Sequence, residues 1–116
     1  MAEPFARSFE RPDEVVEAPS GAGRGEMVEV NGRRVGRLTA EPGWRLSTHV
    51  KPDVGTESCE NEHVGYLIGG RMAFRMDDGS EFEVGPGEVY NVPPGHDAWV
   101  VGDEPAITVD FSSLVR

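Results

Sequence analysis

The tightest constraint on this chain is the rhythm of its turn residues between Gly69 and Gly95. Gly69-Gly70, Asp77-Asp-Gly79, Gly85-Pro-Gly87 and Pro93-Pro-Gly95 interrupt the sequence so often that no helix of ordinary length fits between them. The short intervals that remain alternate in polarity. Met72, Phe74 and Met76 fall on one side and Arg71, Ala73 and Arg75 on the other, while Phe82 and Val84 alternate with Glu81 and Glu83. Fifteen glycines and nine prolines extend the same argument to the whole chain. The predicted fold class is all-β.

Upstream of that region, Met27–Val30 and Arg34–Thr39 flank Asn31-Gly32, the strongest short signal for a two-residue hairpin turn. Trp44–Val50 alternates Trp44, Leu46 and Thr48 against Arg45, Ser47 and His49 and reads as a strand. Lys51 to Asn61, polar and broken by Pro52 and Gly55, reads as a long connection. His63–Ile68, Val89–Val92, Trp99–Val101 and Ile107–Phe111 complete a set of about nine short strands, the pattern of a sandwich or barrel of the jelly-roll kind. Residues 1–25, rich in Glu, Pro, Ala, Gly and Arg, read as a partly ordered N-terminal arm with an edge strand around Glu14–Glu17. Residues 26–116 form one domain, the size at which a single core is buried.

Eleven basic side chains stand against 21 acidic ones, a net charge of −10. That field repels phosphate, so neither a nucleic acid nor an anionic membrane surface is expected as a partner. The one cysteine rules out an intramolecular disulfide. Met1–Arg7 shows no apolar segment of the signal-peptide type, and no stretch approaches the roughly 18 apolar residues of a membrane helix. The cytoplasm is the expected location.

Tyr66-Leu-Ile-Gly-Gly70, Asp77-Asp-Gly79, Gly85-Pro-Gly87-Glu88 and Val92-Pro-Pro-Gly95, in that order and spacing, resemble the cupin superfamily of small β-barrels. The resemblance covers roughly Met27 to Phe111. It implies a cupin-type jelly-roll β-barrel, close to small single-domain bacterial cupins. Gly87, Pro93 and Gly95 match the family's second motif, and Gly70 matches the last position of its first. The ligand positions depart from the family. Counting back from Gly70 places His63 where the family has a glutamate, and Cys59 and Glu57 where it has paired histidines. Ala98 occupies the histidine position of the second motif, with His96 two residues earlier.

The resemblance implies a divalent metal in the barrel, and Zn, Fe, Ni or Mn suits imidazole and thiolate donors. Glu57, Cys59 and His63 share odd parity, and His96 shares the parity of Ala98. Cys59, His63 and His96 are therefore the candidate ligands, with His49 as a further one. A Cys59–His63 nucleophile and base pair is an alternative use of the same residues. Trp44, Tyr66, Met72, Phe74, Tyr90 and Trp99 are the candidate lining of a small-molecule pocket. Three functions stay open: a small-molecule-binding cupin with a divalent metal in its barrel, whose chemistry, if it is an enzyme, the resemblance implies to be of the isomerase, cyclase, lyase or dioxygenase type; a metal-free ligand-binding or sensing module; and a solid-cored interaction protein. A homodimer is the family expectation.

Overall fold

A computed structural model describes residues 4–18, 21–46 and 62–111. The elements among them are nine strands: β1 (Glu14–Glu17), β2 (Gly23–Val30), β3 (Arg33–Ala40), β4 (His63–Gly69), β5 (Met72–Met76), β6 (Glu81–Val84), β7 (Val89–Val92), β8 (His96–Val100) and β9 (Ala106–Asp110). Six form one antiparallel sheet in the order β1-β2-β3-β9-β4-β7, and three form a second in the order β6-β5-β8. This is the all-β jelly-roll architecture expected from the turn rhythm. No helix among the described residues is long and apolar enough to cross a membrane.

The turn chemistry explains where the strands stop. Asn31 and Gly32 both take positive φ, 53° and 82°, as a type I′ hairpin turn requires, and this sets the β2–β3 register from Val30↔Arg33 through to Gly23↔Ala40. β2 begins at Gly23, inside the segment read as an arm. Its glycines reflect packing rather than a loop: a Cβ on Gly23 would sit 3.0 Å from the Trp44 ring, so the bare backbone gives the indole its seat. Of the strand expected over Trp44–Val50, Arg45 makes an isolated antiparallel bridge to Trp99, and residues 47–50 lie outside the described residues.

Between the sheets, Ala40, Leu67, Val92 and Ala106 are fully buried, and Trp44, Met72, Phe74, Val84, Ala98 and Val100 pack around them. The alternation predicted for Met72 and Phe74 is seen, and both point inward. Ala73 is buried as well, because it sits in the middle strand of the smaller sheet.

The N-terminal residues fold back over the outer face of the larger sheet through charge. Glu26, 5% exposed, accepts from Arg24 Nε at 2.7 Å and from Arg37 Nε at 3.0 Å. Arg37 also reaches Glu10 at 2.7 Å and lies 5.2 Å from the centre of the Phe9 ring. Asp13 accepts from Arg7 and from the Glu29 backbone N–H, both at 2.7 Å. Burial pushes the Glu26 carboxyl up, but the hydrogen bonds from Arg37 and Arg24 outweigh it and hold the group below its ordinary 4.5. A depressed carboxylate contributes stability that is complete above the ordinary value and lost as the pH falls through the folded one. Glu26→Gln should therefore cost about 1–2 kcal/mol at neutral pH and flatten the acid limb of the stability profile below pH 4.5. Urea midpoints measured across that range check both.

Candidate functional site

A cavity of about 340 Å³ lies between the sheets. Met27, Leu38, Trp44, Met72 and Phe74 give it apolar walls, while His63, His96, Tyr90, Thr108 and Asp110 bring polar groups into it. That volume falls within the range of pockets for small organic molecules.

Strand parity and register place the polar groups. His63 opens β4 and faces inward with Gly65 and Leu67, and Asp110 ends β9, whose pairing sets Gly65 opposite Asp110. His63 Nδ1 meets Asp110 Oδ2 at 3.0 Å. His96 opens β8, and its Nδ1 lies 2.8 Å from the Pro93 carbonyl, so the Pro-Pro-Gly corner itself orients the ring. A carbonyl and a carboxylate only accept, so both rings hold their proton at Nδ1 and carry the lone pair on Nε2 when neutral. The ring centres are 5.2 Å apart at 77°. Phe74 packs near both aromatic partners of the wall, 6.0 Å from His96 and 5.2 Å from Tyr90.

Tyr90 lies across the backbone of Gly65, its register partner. A Cβ at residue 65 would approach the Tyr90 ring to 2.5 Å, so only glycine leaves the phenol its place. The Tyr90 hydroxyl is 2.7 Å from Thr108 Oγ1, which in turn donates to the Tyr66 carbonyl at 3.3 Å. Burial pushes the Tyr90 hydroxyl pKa up, against the Thr108 hydrogen bond and with help from the negative charge of Asp110. The phenol stays protonated at neutral pH.

The structure brings His63 and His96 together. Cys59 and His49 lie outside the described residues. Trp44, Met72, Phe74 and Tyr90 line the cavity, but Tyr66 and Trp99 do not. Both are corrected by parity: Tyr66 is 40% exposed on the outer face of β4, between inward-facing Gly65 and Leu67. Trp99 alternates with inward-facing Ala98 and Val100 and packs outside beneath the Arg45 guanidinium, 4.4 Å from its ring centre. Thr108 and Asp110 were not anticipated. Their alternation in Ala106–Asp110 gives them one face, yet which face meets His63 and Tyr90 depends on a pairing between strands some 40 residues apart.

Ala98 is buried and lines the cavity on the same face as His96, so a methyl group stands where the cupin motif has its second-motif ligand. A zinc-type ion takes three or four protein donors at 2.0–2.3 Å. Among the described residues, no group of three His, Cys, Asp or Glu is placed to hold one. His63 and His96 by themselves do not complete such a site.

No protein-family model and no curated protein matches the chain. Solved structures do. KdgF from a Halomonas species superposes with a TM-score of 0.62 at 14% identity, over 94% of this chain and 91% of its own. A cupin-like protein from Thermotoga maritima gives 0.56 at 16% identity, over 80% and 69%. A mutant oxalate decarboxylase from Bacillus subtilis gives 0.62 at 20% identity, covering 87% of this chain but 28% of that enzyme. The fold is that of the cupin superfamily. At such identities the likeness concerns the fold, and function has to be argued from the cavity.

Gly65→Ala should destabilise the protein by about 1–3 kcal/mol through overpacking against Tyr90. Combined with Tyr90→Ala it should cost clearly less than the sum of the two single changes. Thermal unfolding of the three variants checks this.

Proposed function

We propose that this chain is a small-molecule-binding cupin that takes a compact, largely apolar molecule by its polar end. The observation that carries the reading is the division of the cavity: apolar side chains on most walls, and convergent polar groups whose orientation is fixed by second partners. Such pre-orientation lowers the entropy lost when a ligand docks. His96 is held by Pro93, His63 by Asp110 and Tyr90 by Thr108. An open volume of 340 Å³ favours this over a solid-cored interaction protein.

In this mechanism the apolar walls, chiefly Met27, Met72 and Phe74, desolvate the body of the ligand, and His63 and His96 anchor its polar end. A fragment library screened by thermal shift should yield compact apolar molecules that raise the melting temperature. Their affinity should fall about tenfold or more in His96→Leu, the usual cost of removing a buried hydrogen-bond partner. Hits unaffected by substitutions at both His96 and Phe74 would place binding elsewhere.

A second reading, metal-assisted chemistry of the isomerase, cyclase, lyase or dioxygenase kind, is favoured by one observation. The carboxylate-held imidazole of His63 is the arrangement that metal-ligating histidines commonly use. It needs donors beyond the described residues, and His49 and Cys59 are the expected ones. Under the leading reading, ligand-induced stabilisation persists in untagged protein dialysed against a chelator. Its loss, together with stoichiometric Zn, Fe, Ni or Mn that disappears in His63→Ala and His96→Ala, would establish the metal-dependent reading instead.

A further inference from the structure

The direction of each hydrogen bond around the cavity says which kind of polar end the ligand carries. Thr108 has a single hydroxyl proton, and the Tyr66 carbonyl, which can only accept, takes it. The short contact to Tyr90 therefore runs the other way: the phenol donates to Thr108 Oγ1 and keeps only oxygen lone pairs for other partners.

His96 leads to the same polarity. It is 2% exposed, and its Nδ1–H is committed to the Pro93 carbonyl. No described residue hydrogen-bonds its Nε2. Yet no buried side-chain nitrogen or oxygen lacks a partner among the described residues, so Nε2 borders open space, and the space His96 lines is this cavity. Beside these two acceptors stands the Asp110 carboxylate, which accepts from His63 Nδ1 and whose negative charge is felt at Tyr90. The arginines that border the cavity, Arg24 and Arg37, are ion-paired to Glu26, Glu17 and Glu10.

We propose that the cavity is selective for hydrogen-bond-donor ligands: a compact apolar molecule, aromatic in preference, ending in a hydroxyl or an ammonium group, with ethers and carboxylates rejected. The proposal rests on the small-molecule reading above and specifies its ligand class. An ether offers His96 Nε2 and Tyr90 Oη nothing to accept, and a carboxylate sets a second negative charge near Asp110. Trp44, Phe74 and Tyr90 supply the aromatic walls.

The test uses four probes of one size on the full chain at pH 7: 2-naphthol, 2-naphthylmethylamine, 2-methoxynaphthalene and 2-naphthoate. Affinities are read by titration calorimetry, and contact with His96 is read from its imidazole carbon-bound proton resonances. The naphthol, the amine or both should bind about tenfold tighter than the ether and the carboxylate. The comparison of naphthol with amine tells a neutral donor from a cationic one. Tyr90→Phe and His96→Leu should each narrow the gap between naphthol and ether. Thr108→Val makes a sharper demand. It leaves the phenol proton without its acceptor, so Tyr90 can donate into the cavity, and the ether should gain affinity over wild type. An ether or carboxylate that binds wild type as tightly as the naphthol overturns the donor rule while leaving small-molecule binding intact. Failure of all four probes overturns the donor rule and counts against the small-molecule reading as well.

Discussion

The rest of the structure depends on the insertion of β9 between β3 and β4. That strand, close to the C-terminal end of the described residues, pairs with Gly36–Ala40 on one side and Gly65–Gly69 on the other. It thereby joins the β2–β3 hairpin to the region in which the sequence is richest in turns. It also carries Thr108 and Asp110 to Tyr90 and His63. Without this pairing the hairpin and the cupin-like segment would be two separate β units, and the cavity would lack its polar wall. Such non-local pairing costs loop-closure entropy, which the buried contacts of Leu67, Ala40 and Ala106 against their neighbours must offset.

The cavity exists because large side chains lie over bare backbone. Trp44 is seated against Gly23, and Tyr90 lies across Gly65. In each case the missing Cβ moves an aromatic ring back toward its sheet and leaves volume in the middle. A glycine of this kind serves packing rather than chain reversal. The distinction matters for reading the sequence, because Gly23 stands in a glycine-rich stretch whose composition resembles a loop, yet it is the first residue of an eight-residue strand.

The turn geometry of the cupin fold persists while the side chains that would do its familiar chemistry differ. The Pro93-Pro-Gly95 corner gives the His96 ring a carbonyl partner, and Ala98 leaves a methyl group at the position that a metal ligand would occupy. Backbone constraints of this sort depend on φ angles and tight corners, which few substitutions can preserve. The residues facing the cavity are bound only by volume and hydrogen-bond satisfaction, so they can change without loss of the fold. The outcome is an apolar pocket whose polar groups are held from behind by second partners.

Most of the strands were legible because their causes are local: alternation over five or six residues, a hairpin dipeptide at Asn31-Gly32, a proline–glycine corner before His96. The shared face of His96 and Ala98 followed from the two-residue period of a strand. Tyr66 and Trp99 went wrong for the opposite reason. Their amphipathic rings suit either face, and the phase of β4 and β8 relative to the core was decided by which sheet neighbours bury Leu67 and Ala98. The sequence by itself determined the strands, their turns and the presence of two imidazoles in the region that forms the cavity. The tertiary structure alone decided that His63 meets Asp110 and that the Tyr90 hydroxyl meets Thr108. Strand register between distant segments is set by packing across the whole molecule, and no local pattern encodes it.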